Sequence, residues 1–245
     1  MDRTYTKRFP VYTFDVDIEG KARLPFLLDL LQDIAREHAG LLKVSIFDLQ
    51  AKGLTWVLSR YHIRVSRYPL MGETVEVRTW PSGKKGLFAL RDFEVRDGDG
   101  GLLLEATTSW LVIKLDTKQP VRMDTDFLDG HILDRRAVAD EFERLPSPVR
   151  ADREASFTVL SRDLDFNRHV NNVVYIHWAI EGMPEDVLRR TRPAEVEIVY
   201  KEEAFYGDEV AARVQFPEDG GCACLHQIVR KADGAELARL RTSWR

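Results

Sequence analysis

Cysteine, net charge and long hydrophobic runs are all scarce in this chain of 245 residues. Its two cysteines, Cys222 and Cys224, lie one residue apart and make neither a disulfide framework nor, by themselves, a structural zinc site. Lys and Arg number 36 and Asp and Glu number 40, so a formal charge of −4 gives no electrostatic reason to expect nucleic acid or a membrane as the main partner. No apolar run approaches the roughly 18–20 residues that span a bilayer, and no signal-peptide core follows Met1. We therefore expect a cytoplasmic protein.

The chain repeats one pattern twice. Residues 9–17 align with residues 157–165 and share Phe, Val and two Asp residues with them. Residues 63–75 align with residues 198–210. The triplet Thr-Ser-Trp occurs at residues 108–110 and again at residues 242–244. Three matching blocks in the same order indicate an internal duplication.

Each copy predicts a strand, then a helix, then four more strands. Apolar residues from Leu24 to Ala35 recur at helical spacing, and Gly40 is expected to end this first helix. The second helix, expected over residues 171–181, is apolar on nearly every side and must be buried. The later strands are predicted at 54–66, 73–80, 87–96 and 102–114 in the first copy, and at 195–203, 209–216, 222–231 and 236–244 in the second.

A sheet hides such a helix by curling around it, which is the hot-dog arrangement. The sequence therefore predicts an α+β fold, a double hot dog of two tandem repeats. We expect the N-terminal repeat at residues 1–118 and the C-terminal repeat, with the catalytic residues, at 151–245. Residues 119–150, rich in proline and charge, are expected to form a surface linker with one short helix over 135–144.

The copies differ at polar positions just before the helix. The second copy has Asp165, Asn167 and His169, whereas the first has Glu19 and Lys21 in place of the last two. If this segment is extended, alternate side chains point the same way and converge near the helix N-terminus, where backbone N–H groups favour an oxyanion. Each residue alone also suits a cap, a turn or a structural histidine. Their occurrence together in one copy favours catalysis.

Residues 165–176, Asp-Phe-Asn-Arg-His-Val-Asn-Asn-Val-Val-Tyr-Ile, resemble the active-site segment of acyl-acyl carrier protein thioesterases, the plant plastid family and its bacterial relatives. Residues 199–204, Val-Tyr-Lys-Glu-Glu-Ala, resemble that family's second catalytic segment. Thr79 and Trp80, followed by Ser-Gly-Lys, resemble its first-half strand and turn. Single hot-dog thioesterases for coenzyme A esters share the His-Val-Asn-Asn-x-x-Tyr piece, but the duplicated length and the second segment favour the carrier-protein family.

The resemblance implies hydrolysis of a fatty acyl thioester to free fatty acid and acyl carrier protein, with Asp165, Asn167, His169 and Glu203 as the catalytic set. Plant members carry a Cys after that Glu, where this chain has Ala204, so we expect direct attack by water. Glu203 is expected to be the general base, acting through or beside His169. Asn167 would hold the water or the carbonyl, and Asp165 would orient the Asn–His pair.

Other contacts with the substrate are expected at Asn171 and Asn172, which also suit cap and turn roles. Backbone N–H groups at this helix start would receive the oxyanion. The N-terminal repeat is expected to enclose the acyl chain, with Trp56 and Trp80 among the candidate wall residues. Composition does not distinguish such a wall from ordinary core.

The expected partner is acyl carrier protein with its phosphopantetheine-linked acyl chain. The candidates for a basic docking patch are Arg135, Arg136, Arg189, Arg190, Arg192, Lys84 and Lys85. We expect no nucleic-acid or membrane partner and no cofactor or metal, because no phosphate-binding glycine loop or metal-ligand cluster is visible. The pattern is compatible with a homodimer. Three alternatives stay open: an acyl-coenzyme A thioesterase of the hot-dog superfamily, a hot-dog dehydratase or hydratase, and a non-catalytic acyl-binding module.

Overall fold

A computed structural model describes residues 3–122, 130–218 and 221–245. The chain divides into two compact units, Met1–Asp140 and Glu141–Arg245. This division lies inside the predicted linker, while the boundaries at residues 118 and 150 stay predictions. In the ranges described, no helix is both long enough and apolar enough to cross a membrane.

The first unit is an antiparallel sheet with a long helix. Its strands hydrogen-bond in the order β1-β3-β4-β5-β2, and β6 pairs with β5. In chain order the elements are β1 (Tyr5–Pro10), α1 (Leu24–Leu41), α2 (Ile46–Gln50), β2 (Leu54–Val65), β3 (Thr74–Lys85), β4 (Phe88–Arg96), β5 (Leu102–Lys114) and β6 (Pro120–Val121).

The second unit has the same plan with a shorter helix. Its strands pair antiparallel in the order β8-β11-β10-β9-β7. In chain order the elements are β7 (Arg153–Thr158), α3 (Asn172–Glu181), α4 (Glu185–Arg190), β8 (Pro193–Tyr200), β9 (Glu209–Gln215), β10 (Ala223–Arg230) and β11 (Glu236–Trp244).

Each unit buries its principal helix against its sheet. In α1 a stripe of leucines and Ile34 has no exposed surface, and the helix contacts β3 and β1. In α3 the exposed residues are His177 and Glu181, one turn apart, and the rest of the helix is buried or half-buried against β9, β10 and β11. Burying this apolar surface is the main contribution to stability expected of such a helix. The predicted double hot-dog fold is confirmed.

The duplication is visible in matching side-chain contacts. The Trp110 indole N–H donates to the Thr108 hydroxyl at 2.8 Å, and the Trp244 indole donates to Thr242 at the same distance. These are the Thr-Ser-Trp triplets that align in the sequence.

Two local predictions were wrong. The strand expected at the start of each copy does not extend through the aligned blocks 9–17 and 157–165: β1 ends at Pro10 and β7 at Thr158, because Asp15 and Asp163 stabilise turns that follow. The Ser-Gly-Lys segment after Pro81 was expected to be a turn, but it lies inside β3. A register shift between Pro81 and Gly83 allows the strand to continue past the proline, which has no N–H to donate.

The helix predicted over residues 135–144 does not form. Backbone groups of its first residues bind the first unit instead: the Ala137 N–H donates to the Asp92 carboxylate at 2.5 Å, and the Arg135 carbonyl, which such a helix would use, accepts the Trp80 indole N–H at 2.8 Å. Val138 has no exposed surface. This part of the predicted linker is therefore held against the sheet of the first unit.

Candidate active site

A tight turn, not an extended segment, presents the polar trio of the second unit. The Asp165 N–H donates to the His169 carbonyl at 2.8 Å, and the Arg168 N–H donates to the Asp165 carbonyl at 3.0 Å. The Asp165 carboxylate accepts the backbone N–H groups of Asn167 at 2.8 Å and His169 at 3.2 Å. The prediction of an extended backbone was wrong because this short carboxylate stabilises the turn. The side chains of the turn still alternate in solvent exposure: Asn167 and His169 are half-buried, while Phe166 and Arg168 are exposed.

The first unit contains the same turn without the same side chains. Asp17 donates its N–H to the Lys21 carbonyl at 2.8 Å, and its carboxylate accepts the N–H groups of Glu19 at 2.9 Å and Lys21 at 3.1 Å. Here Lys21 forms an ion pair with Glu19 at 3.0 Å. The aspartate therefore builds the turn in both units, and the amide and the imidazole are what distinguish the second.

Glu203 lies against His169. The carboxylate Oε1 is 3.1 Å from the imidazole Nδ1, and the side chains are 46% and 28% exposed. The imidazole also packs nearly perpendicular to the ring of Phe205, with ring centroids 5.2 Å apart. The separation of about 3 Å that the catalytic hypothesis requires is present. The aligned position of Glu203 in the first unit is Tyr68.

A loop between β8 and β9 carries Glu203, since β8 ends at Tyr200 and not at residue 203 as predicted. The next residue, Ala204, has no exposed surface, and its carbonyl accepts the Val170 N–H at 3.0 Å. A side chain at this position points into the protein, which fits a reaction that does not use position 204 as nucleophile. The Glu203 carbonyl also accepts a guanidinium N–H of Arg230 at 2.8 Å, a contact that the sequence did not suggest.

Asn171 caps α3. Its side-chain oxygen accepts the Val173 N–H at 3.1 Å, and its carbonyl accepts the Val174 N–H at 2.9 Å. These contacts occupy two of the backbone donors expected to receive an oxyanion. The cap does not use the Asn172 N–H, which is therefore the candidate donor to an oxyanion at this helix start. The Asn172 carbonyl accepts the Tyr200 hydroxyl at 3.0 Å.

The two tryptophans predicted to bind substrate both have structural partners in the first unit. Trp80 is fully buried, and the Arg135 guanidinium lies 4.9 Å from the centroid of its ring. The half-buried Trp56 donates its indole N–H to the Val44 carbonyl at 2.8 Å and packs edge-on against Trp110. These contacts fit core roles, and a role in substrate binding stays a prediction.

Three of the arginines proposed for docking are paired within their own units. Arg135 pairs with Glu94, Arg136 lies 3.3 Å from the Asp92 carboxylate, and Arg189 binds Glu185 one helical turn away at 2.6 Å. These three arginines therefore each have a carboxylate neighbour, and docking by Arg190, Arg192, Lys84 and Lys85 stays a prediction.

Neither cysteine takes part in the site. Cys224 is buried in β10, and burial raises the pKa of its thiol to about 11, so the thiol is protonated at neutral pH. Cys222 is exposed just before β10.

Comparison with known proteins places this geometry in a family. The model of the acyl-ACP thioesterase N-terminal domain matches residues 2–131, and that of the C-terminal domain matches residues 147–245. The palmitoyl-acyl carrier protein thioesterase of Cuphea hookeriana is 27% identical over 259 residues, which cover 98% of this chain and 62% of that protein. The oleoyl-acyl carrier protein thioesterase of Coriandrum sativum is 25% identical over 284 residues, which cover 99% of this chain and 77% of that protein.

Two solved structures superimpose on nearly the whole of this chain. The acyl-ACP thioesterase from Bacteroides thetaiotaomicron superimposes with a TM-score of 0.89 at 25% identity, over 99% of this chain and 98% of that one. The 12:0-ACP thioesterase from Umbellularia californica has the same fold, with a TM-score of 0.90 at 23% identity over 100% and 98% of the two chains. This chain spans about 62% of the length of its Cuphea relative. The chain belongs to the acyl-ACP thioesterase family.

Proposed function

We propose that this protein hydrolyses fatty acyl thioesters of acyl carrier protein. The observation that carries the proposal is the 3.1 Å contact between His169 and Glu203 in one unit of a duplicated chain, in which the turn before His169 also carries Asn167. The other unit keeps the turn but has Lys21 and Tyr68 at the aligned positions. Family membership supports the same conclusion.

His169 is the proton carrier in this mechanism. Its Nδ1 faces Glu203, so the carboxylate fixes the orientation of the ring and stabilises the imidazolium that forms. The other ring nitrogen, Nε2, accepts a proton from water as the water oxygen attacks the thioester carbonyl carbon. In this mechanism His169 is therefore the general base, and Glu203 assists it without taking the proton.

Collapse of the resulting tetrahedral oxyanion breaks the carbon–sulfur bond. The imidazolium returns its proton to the leaving sulfur, so the products are a free fatty acid and the thiol of the carrier. The Asn172 N–H at the start of α3 is our candidate for the oxyanion donor, and Asn167 holds the water or the carbonyl. Asp165 acts by building the turn, since its Oδ1 holds the backbone N–H groups of both Asn167 and His169.

The carrier is the finer part of the proposal. The relatives named above act on acyl carrier protein thioesters by name, and this supports acyl carrier protein over coenzyme A. The cytoplasmic location and the homodimer stay predictions, to be checked by cell fractionation and light scattering.

A hydrolysis panel tests the proposal. Acyl carrier protein and coenzyme A esters with the same acyl chains, from short to long, are offered to the protein, and free thiol and free fatty acid are both measured. We expect release of both products, with kcat/KM for the carrier-protein ester above that for the coenzyme A ester. A preference for coenzyme A esters would contradict the assignment of acyl carrier protein as the carrier. Absence of hydrolysis of both series would contradict the proposed function.

A further inference from the structure

Tyr175 connects the helix to the loop that carries Glu203. It lies in the first turn of α3, it is 3% exposed, and its hydroxyl oxygen accepts the Ala204 N–H at 3.0 Å. Burial raises the pKa of Tyr175, so the phenol is neutral at physiological pH. The hydroxyl therefore acts as a fixed, uncharged acceptor.

Ala204 joins the neighbours of both members of the His–Glu pair. It directly follows Glu203 in the chain, and its carbonyl accepts the N–H of Val170, which directly follows His169. The backbone N–H and carbonyl of the buried Ala204 thus connect the Glu203 loop to α3 and to the turn that carries His169. The distance between the carboxylate and the imidazole depends on both connections.

The first unit keeps one of these connections and has lost the other. The Pro69 carbonyl, aligned with that of Ala204, accepts the Ala22 N–H at 2.8 Å. Pro69 has no N–H to donate, and Leu27, aligned with Tyr175, has no hydroxyl to accept. Both partners of the tyrosine bond are therefore absent from the unit that has Lys21 and Tyr68 at the positions aligned with His169 and Glu203. The backbone connection belongs to the shared fold, whereas the tyrosine connection occurs with the catalytic pair.

We propose that Tyr175 is a positioning residue, which holds Glu203 against His169 through the Ala204 N–H. This inference rests on the proposed function. Tyr175 does not touch the reacting atoms in this account; it restricts the loop after β8 so that the carboxylate meets the imidazole. The cost of losing it is a reduced population of the aligned pair, which lowers kcat more than it changes KM.

Two substitutions remove the bond from opposite ends. Tyr175→Phe keeps the ring and its edge contacts with Trp178 and Tyr200, and deletes only the hydroxyl. Ala204→Pro deletes the N–H, and Pro69 in the first unit shows that the aligned backbone accommodates proline. We expect each variant to lower kcat for the acyl carrier protein ester by about 10-fold, with KM within about two-fold of wild type.

The double variant separates positioning from a general structural effect. If both substitutions act through one hydrogen bond, kcat of the double variant falls by about the same 10-fold and not by about 100-fold. The matched control is Tyr5→Phe, which removes a phenol hydroxyl bound to Glu37 at 2.9 Å in the first unit and should leave kcat unchanged. Unaltered kcat in Tyr175→Phe, or multiplicative losses in the double variant, would overturn the inference.

Hydrogen exchange decides the inference independently of turnover. Amide exchange in the peptide covering residues 202–206 should speed up by about 10-fold in Tyr175→Phe and stay at the wild-type rate in Tyr5→Phe. Unchanged exchange there would argue against a tie at Ala204. A wild-type protein that hydrolyses no thioester would contradict the proposed function alone, because the exchange measurement still reports on the bond.

Discussion

At the scale of single residues, the turn that carries the proposed catalytic residues forms in both units, with and without those residues. Asp17 and Asp165 organise equivalent turns with nearly equal hydrogen bonds, yet only the second turn carries an amide and an imidazole. The aspartate in the sequence motif is thus explained by the backbone that it holds. This separates residues that build the site from residues that react in it.

Arg168 shows that the second turn carries backbone strain. Its φ is +64°, in the left-handed region, where the first unit has Gly20 at +74°. A side chain in this region costs about 1–2 kcal/mol, partly offset because glycine gives the unfolded chain more freedom. We predict that Arg168→Gly raises the free energy of unfolding by about 0.5–1 kcal/mol in urea denaturation.

Arg162→Gly is the matched control, since Arg162 is also exposed but lies in the short 3₁₀ turn Ser161–Asp163. This variant should gain no stability. Equal effects of the two glycine substitutions would show that the backbone at residue 168 is not strained.

At the scale of elements, an ion-pair cluster stabilises the start of β11. Glu236 binds Arg239 through both carboxylate oxygens at 2.7 Å and also binds Lys201. Burial alone would raise the pKa of Glu236, but the two cations outweigh it and lower the pKa to about 2, against 4.5 for an unperturbed glutamate. The stabilisation is therefore fully present above pH 4.5 and is lost as the pH falls towards 2.

The expected signature is a pH-dependent difference in melting temperature. Glu236→Gln should melt below wild type at pH 7, and the gap should close as the pH falls from about 4.5 to about 2, where the wild-type carboxylate also becomes neutral. Glu154→Gln, at an exposed pair with Arg213, should show little gap at any pH. A gap for Glu236→Gln that is constant with pH would contradict the role of its charge.

Periodicity predicted the regular elements well. The β5 and β11 bounds agree with the sequence prediction, and α3 begins one residue later than predicted, because apolar spacing and flanking turn residues determine these elements locally. The turn before α3 was missed because its geometry depends on one side-chain carboxylate, which alternation of polarity does not reveal.

The segment after residue 130 was missed for a different reason. Asp92 and Glu94, two carboxylates on β4 with almost no exposed surface, bind Arg136 and Arg135 from this segment. Asp92 also accepts the Ser82 and Thr107 hydroxyl groups at 2.7 and 2.6 Å. Such long-range partners are invisible to local composition, which indicated a solvated linker. The contact between Glu203 and His169 was predicted only because a resemblance to a known family linked the two residues across the chain.

At the scale of the whole molecule, duplication supplied two equivalent turns and chemistry is assigned to one. The first unit pairs Lys21 with Glu19 in the place where the second presents His169 and Asn167. The comparison of the two units also draws attention to Tyr175, a residue of the sequence motif to which sequence analysis assigned no role. A duplicated chain thus provides an internal control for each residue assigned to catalysis.

The most direct test of this assignment is kcat for an acyl carrier protein ester in His169→Ala and Lys21→Ala, the two substitutions at aligned positions, with His177→Ala on the exposed strip of α3 as a further control. The account predicts that His169→Ala loses at least about 100-fold, while the two other variants stay within about two-fold of wild type. Near-normal turnover by His169→Ala, or an equal loss in Lys21→Ala, would contradict it.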